Sequence, residues 1–164
     1  MKEMIAGYCR QLKWGNSIVE NYQGIQVDSH EEFLLKLLEM ELSNREITRK
    51  NRYLQQAGFD VMKTFKDYAF DQVQIPNSIS IDEIKNADFM EKKENLILYG
   101  GVGTGKTHMA TAVGVAACNR GKKVKYYRTA SLVNELIDAK IKGNLNKLFK
   151  QLEKAELLIC DEWG

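Results

Sequence analysis

Apolar residues along the 164-residue chain recur first with a helical period and later alternate between helical and strand-like runs. Residues 5–12 and 18–22 are weakly helical, with Gly15 and Gly24 as breaks. A stronger helix opens at Asp28–Glu32, where Ser29 can cap it and Glu32 can complete a capping box. Phe33, Leu34, Leu37, Leu38, Met40, Glu41 and Leu42 follow with helical spacing, and the pattern continues to Gly58. Its second half, Asn44 to Gln56, is basic and polar. Phe65–Phe70 and Gln74–Asn77, with the only proline at 76, form a connector before a helix over 81–92. Then come an apolar strand at 95–99, a helix over 106–120 stopped by Gly121, and a strand at 123–128. An amphipathic helix follows over 131–141, carrying Leu132, Val133, Leu136, Ile137 and Ile141. Gly143 breaks it, a helix spans 145–155 with Leu148, Phe149 and Leu152 inward, and an apolar strand closes the series at 157–161. A helical region followed by β-α-β-α-α-β predicts an α/β protein with a parallel sheet. The division expected is a helical region over 1–75 and an α/β domain over 76–164.

The candidate chemistry lies between the first strand and its helix. Gly100 to Thr107 fits G-x-x-x-x-G-K-[ST] in strand–loop–helix context, the arrangement of a phosphate-binding P-loop. Glycines let successive backbone N–H groups turn inward on a phosphate, and the helix adds the positive end of its dipole. Gly100, Gly101, Val102, Gly103, Thr104, Gly105, Lys106, Thr107 and the adjoining His108 are therefore the candidate nucleotide-binding residues. Lys106 is placed to reach the β- and γ-phosphates and Thr107 to hold Mg²⁺. The last strand ends in Asp161-Glu162, 55 residues beyond Lys106, a distance that suits two βα units. In a P-loop ATPase such a pair orients Mg²⁺ through the Asp and polarises the attacking water through the Glu. A kinase transferring phosphate to a small acceptor has no use for that glutamate. ATP and Mg²⁺ are the cofactors this pattern implies.

Composition narrows the class only slightly. No apolar run approaches the ~18 residues of a membrane span, and Lys2-Glu3 gives no basic leader, so a cytoplasmic protein is expected. Cys9, Cys118 and Cys160 are odd in number and far apart, and with only His30 and His108 a zinc site is not expected. Charge is uneven. From Lys106 to Lys154 there are 11 Lys/Arg against 3 Asp/Glu, whereas residues 1–105 carry 13 against 16. Arg120, Lys122, Lys123, Lys125 and Arg128 crowd one loop and strand, which suggests a polyanionic partner as readily as a solvated face. Tyr126-Tyr127 beside them read as packing residues.

Together these residues resemble a known family. Glu31–Glu46, Thr64–Phe70, Glu94–Gly100, Gly103–His108, Thr129–Leu136 and Leu157–Gly164 follow, in order and spacing, the IstB-like ATP-binding proteins that help insertion-sequence transposases. The resemblance covers essentially the whole chain, and its more specific parts are the Thr107-His108 pair and the Leu-Val-Asn-Glu-Leu helix. It implies an AAA+ module that binds ATP and Mg²⁺, assembles as a homo-oligomer on duplex DNA and presents that DNA to a transposase. On the matching positions, Gly101 to Thr107 would cradle the phosphates, Thr107 and Asp161 would serve Mg²⁺, and Glu162 would activate water. DnaC-type helicase loaders share much of this pattern and are the alternative. A replicative-helicase partner in place of a transposase would distinguish them.

This chain departs from the family at Gly101-Val102, where prolines are usual, and at Trp163, where a smaller aliphatic is usual. The family's next strand, with its polar sensor, its arginine finger and its helical lid, has no counterpart before residue 164. That strand lies in such ATPases between the P-loop strand and the Asp-Glu strand. A gap at the centre of the sheet is therefore expected, as is a C-terminally truncated chain that does not turn over ATP unaided. A non-catalytic remnant acting through its N-terminal helices is the third reading. Tyr68 and Phe70 are candidates for packing near the adenine.

Overall fold

The computed structural model describes residues 1–71 and 73–163; Gly164, the final residue of the acidic strand motif, lies outside them. Contacts divide the chain into two compact units, Met1–Asn51 and Arg52–Gly164.

In the first unit α1 (Lys2–Gln11) and α2 (Asn16–Asn21) precede the long helix α3 (His30–Ala57), which runs on into the second. Ser29 Oγ accepts the Glu32 N–H at 3.1 Å, the N-cap its position predicts. The inward stripe of α3 mixes apolar and polar residues, with Phe33, Leu37, Met40 and Asn44 partly buried. Leu34, Leu35, Leu38 and Leu42 are exposed, while Glu41 is buried at 4% exposure. The reason is polar. The Glu41 carboxylate accepts the Gly15 N–H at 2.7 Å and the Arg45 Nε–H at 2.6 Å, and Asn44 donates to the Ser17 hydroxyl. A buried carboxylate is retained only when its oxygens are satisfied in this way.

The second unit is built on a two-stranded parallel sheet among the described residues, β1 (Val124–Arg128) beside β2 (Leu157–Asp161), with Val124 opposite Leu157 and Arg128 opposite Asp161. Between the strands run α6 (Thr129–Ile141) and α7 (Leu145–Leu152). Residues 95–99 join no ladder. They keep the strand alternation, with Leu96 and Leu98 packed on the core and Ile97 and Tyr99 86% and 100% exposed. The expected P-loop strand is thus extended chain without a neighbour, because a strand exists as such only where another supplies N–H and C=O partners. The expected helix over 81–92 is also divided. The short helix α4 (Ile81–Asn86) stops at Ala87, whose φ of 56° is left-handed, and a 3₁₀ turn follows over Asp88–Met90.

Helix α5 (Lys106–Asn119) holds this unit together. Small residues let it bury most of its circumference: Met109, Ala112, Val113, Val115, Ala117 and Cys118 are all below 6% exposure. Gly114 is the point of closest approach. A Cβ there would stand 2.7 Å from both Ile159 Cδ1 and the Phe59 ring. Gly121, at φ 77°, turns the chain from α5 into β1 as the sequence predicts. The last turn of α5 therefore lies at the start of β1, and its middle lies on the middle of β2. The helix runs antiparallel to the strands, and its first residue, Lys106, points toward their C-terminal ends.

Gly114→Ala gains about 1 kcal/mol of helix propensity and incurs roughly 1–3 kcal/mol of overpacking against Phe59 and Ile159. The expected net result is destabilisation, read as a lower urea midpoint with an unchanged m-value. A second expectation concerns acid. Ser80 and Glu83 form a reciprocal capping box at α4, with Ser80 N–H to Glu83 at 2.8 Å and Glu83 N–H to Ser80 Oγ at 3.1 Å. The Lys92 ammonium first, then the Ser80 N–H, holds the Glu83 carboxyl down to about 2. A carboxyl depressed on folding stabilises fully above its ordinary range and loses that contribution as pH falls toward 2. The protection factor of the Ser80 amide, which the Glu83 carboxylate accepts, should therefore fall between pH 4.5 and 2, and a Glu83→Gln variant should lack that transition.

Candidate nucleotide-binding site

The glycine loop takes the backbone conformation its sequence calls for. Gly100, Gly103 and Gly105 have φ of 155°, 79° and 85°, values a side chain resists. Lys106 Nζ donates to the carbonyls of Gly100 at 2.8 Å and Gly101 at 2.6 Å, so the loop is wound around the lysine ammonium. Thr104 Oγ1 donates to Gly101 O at 2.9 Å and closes the turn from inside. Val102 is wholly exposed at the loop tip, and Thr107 presents an exposed side chain in the first turn of α5. Gly105 caps that helix without any side chain, leaving its first N–H groups open.

His108 turns away from the loop. Its Nε2 lies 2.9 Å from the Thr64 carbonyl, which can only accept, so Nε2 carries the proton. The ring meets Tyr68 edge-on at 5.1 Å, and Tyr68 packs against Phe70 at 4.9 Å and Phe65 at 6.2 Å. A Cβ on Gly105 would come within 3.2 Å of Tyr68. The connector over 64–70 is thus an aromatic wall laid against the P-loop. Burial raises the Tyr68 phenol above its ordinary range.

At the end of β2 the acidic pair is held by several neighbours, among them Tyr126, which the sequence reading took for packing. Tyr126 is buried, and its hydroxyl donates to Asp161 Oδ2 at 2.8 Å. The Glu162 N–H donates to Asp161 Oδ1 at 3.0 Å, and Thr129 Oγ1 donates to the Asp161 carbonyl at 2.8 Å. Burial first, then the Asp161 hydrogen bond, pushes the Tyr126 phenol up. Glu162 has left-handed backbone, φ 57°, and its Oε2 lies 4.0 Å from Arg128 Nε. That guanidinium is engaged more closely by Asp60, at 2.7 Å. The parallel register carries the signal that locates these partners: Arg128 stands opposite Asp161, and Tyr126 lies two residues back on the same face.

Two groups are therefore assembled. Residues 100–107 surround Lys106, and Asp161 and Glu162 sit with Tyr126, Thr129 and Arg128. Among the described residues no hydrogen bond or ion pair joins the two, although the direction of α5 puts both at the C-terminal end of the strands. No trio of His, Cys, Asp or Glu among those residues is grouped to hold a metal by protein ligands alone. A glycine loop wound on a lysine, leading into a helix on a parallel sheet, defines a P-loop nucleotide-binding protein.

Comparison with known proteins gives the particular family. The model of the IstB-like ATP-binding proteins matches residues 19–164, and the chain belongs to that family. An ATP-binding protein of insertion sequence IS5376 from Geobacillus stearothermophilus is 31% identical over 171 residues, covering 100% of this chain and 67% of its own length. An insertion-sequence ATP-binding protein of Sinorhizobium fredii is 34% identical over 131 residues, covering 79% of this chain and 44% of its own length. The IS21 counterpart from Pseudomonas aeruginosa is 34% identical over 137 residues, covering 83% of this chain and 51% of its own length. The chain thus spans about half to two thirds of the length of these relatives.

Tyr126→Phe removes the donor to Asp161 without changing the packed ring. Asp161 is only partly buried, so solvent offsets some of the loss, and destabilisation of about 1 kcal/mol is expected in urea unfolding.

Proposed function

We propose that this protein binds ATP at the loop Gly100–Thr107 and serves as the ATP-binding helper of an insertion sequence, contacting duplex DNA and supporting a transposase. The observation that carries the reading is the winding of the glycine loop around the Lys106 ammonium, with the first turn of α5 open behind it. Triphosphate oxygens are the natural partners of such an ammonium and of helix N-terminal N–H groups. The names of the relatives, each an insertion-sequence ATP-binding protein, support the biological setting.

The residues suit a magnesium nucleotide. An exposed hydroxyl at Thr107 and the oriented carboxylate of Asp161 are oxygen donors of the kind Mg²⁺ takes alongside substrate phosphates. When bound, the ion would neutralise charge on the β- and γ-phosphates. Tyr126 and the Glu162 N–H keep the Asp161 carboxylate turned one way, and Thr129 anchors its backbone. Glu162 is the candidate for polarising water. Tyr68, packed beside Gly105, and Phe70, packed against Tyr68, form an apolar surface suited to the flat face of adenine.

For the polyanion, the structure narrows the field of basic residues. On α3, Arg45 is paired with Glu41 and Lys50 with Glu46. Arg120 is paired with Asp88, Lys122 with Glu91 and Glu156, and Arg128 with Asp60. Part of the positive charge counted in the sequence, including three of the five clustered residues Arg120, Lys122, Lys123, Lys125 and Arg128, is therefore locally neutralised. No helix among the described residues is long and apolar enough to cross a membrane.

Equilibrium binding of a fluorescent ATP analogue with Mg²⁺, with and without duplex DNA, tests the reading. Lys106→Ala should weaken binding by about 30-fold or more, the worth of roughly 2 kcal/mol of charge-assisted contact. Glu162→Gln should leave affinity within about twofold, since a carboxylate that polarises water holds no phosphate. Equal affinity for wild type and Lys106→Ala would refute the assignment.

A further inference from the structure

A second concave site lies at the other end of the sheet. A cavity of about 430 Å³ opens between the last turns of α3, the start of β1 and the turn joining α7 to β2. Its volume falls in the ~300–1,000 Å³ range of small-ligand sites. Lys123, Lys125 and Lys154 line it together with the rings of Tyr53 and Tyr127, and Gln151 adds an amide. No carboxylate lines it. The five-residue basic cluster seen in the sequence is sorted here. Arg120, Lys122 and Arg128 are spent on Asp88, Glu91, Glu156 and Asp60, whereas Lys123 and Lys125 form no ion pair among the described residues and face the cavity. Two acids adjoin the lining in sequence: Glu156 is taken up by the Lys123 backbone N–H at 2.9 Å and by Lys122, and Glu153, between Leu152 and Lys154, does not line the cavity.

The lining is also ordered. Lys125 Nζ donates to the Gln56 carbonyl at 2.7 Å, which anchors one ammonium at the C-terminal end of α3 and leaves two of its protons free. Tyr127 is half-buried on β1, so part of its ring is packed while part faces the cavity. Ammonium groups without an ion-pair partner among the described residues, beside two aromatic rings and an amide, suit a phosphate joined to a flat, hydrogen-bonding ring. An acidic peptide would use the lysines and leave the rings without a counterpart.

We propose that this cavity binds a nucleotide unit, phosphate on Lys123 and Lys154 and base on Tyr53 or Tyr127. It lies at the N-terminal ends of the strands, whereas the P-loop faces their C-terminal ends, so it is distinct from the ATP site and does not depend on that reading. The unit comes either from a nucleic-acid strand or from a free mononucleotide, and one experiment separates them. In a Lys106→Ala background, anisotropy is measured with a labelled single strand of about 12 nucleotides, within the ~4–16 of known strand-binding sites, and with labelled AMP. Lys123→Ala/Lys154→Ala is compared with Lys140→Ala/Lys147→Ala, an equal charge change at exposed positions outside the cavity.

The cavity double should lose about tenfold in affinity while the control double stays within about twofold; loss in the strand arm identifies a nucleic acid, and loss in the AMP arm a free nucleotide. For a strand, the salt slope should also fall by about 0.7, the worth of the one phosphate that Lys123 and Lys154 share. Tyr53→Leu should weaken binding about tenfold with the slope unchanged, the signature of lost stacking rather than lost charge. Equal losses in the two doubles, no loss in the cavity double, or no binding of either probe by the parent would overturn the proposal.

Discussion

The close approach of α5 to the β1–β2 pair, made possible at Gly114, is the contact on which the rest of the second unit depends. With no Cβ at that position, the helix axis comes close enough for Ile159 and Phe59 to pack on bare backbone. The small residues around it carry the burial to Ala117 and Cys118, both fully enclosed. Burial pushes the Cys118 thiol up to about 11, so it behaves as a small hydrophobe rather than a nucleophile. Once α5 is fixed on the strands, its direction follows from the tight turn at Gly121. Lys106 is thereby carried to the end of the sheet where Asp161 and Glu162 emerge. The chemistry of the P-loop is local, but its position is a property of this packing.

The same arrangement gives the second unit two chemically different ends. At the C-terminal end of the strands, acids and the P-loop lysine share a region in which every carboxylate oxygen of Asp161 has a donor. At the N-terminal end, lysines line a cavity without acids. The separation arises because the ion pairs of Arg120, Lys122 and Arg128 consume the nearby carboxylates. The ion pairs thus remove Arg120, Lys122 and Arg128 from the basic cluster and leave Lys123 and Lys125 without an ion-pair partner among the described residues. Pairs at the surface contribute little to stability, but they determine where positive potential survives.

Features with a local physical cause were legible in the sequence. The P-loop pattern dictates positive-φ glycines, Ser29 dictates where α3 starts, Gly121 dictates where α5 stops, and the alternating runs of β1 and β2 appear where the pattern puts them. Other features have causes that lie elsewhere in the chain. The hydrophobic residues of α3 identify its inward face only in part: Phe33, Leu37 and Met40 are partly buried on it, but Leu34, Leu38 and Leu42 are exposed, and the Gly15 N–H and Ser17 select Glu41 and Asn44. Ala87 interrupts the helix over 81–92 through a left-handed turn that helix propensity disfavours and that the bonds of its N–H to Glu83 and Ile84 hold in place. Tyr126 carries a hydroxyl whose role depends on the register of a strand more than thirty residues away.

The sequence by itself determined that the chain would present a glycine loop of the P-loop pattern, that a helix would follow it and that an acidic pair would end an apolar strand. Each of these is written in neighbouring residues and in conformations that only those residues tolerate. Tertiary structure alone decided which end of the sheet those groups share, which lysines keep a free charge and which tyrosine holds Asp161. These depend on contacts between residues distant in the chain, and such contacts are selected by packing and by hydrogen-bond satisfaction in three dimensions. The segment 95–99 shows the boundary most clearly. Its alternation of buried and exposed side chains is sequence-borne, whereas its becoming a strand requires a neighbour.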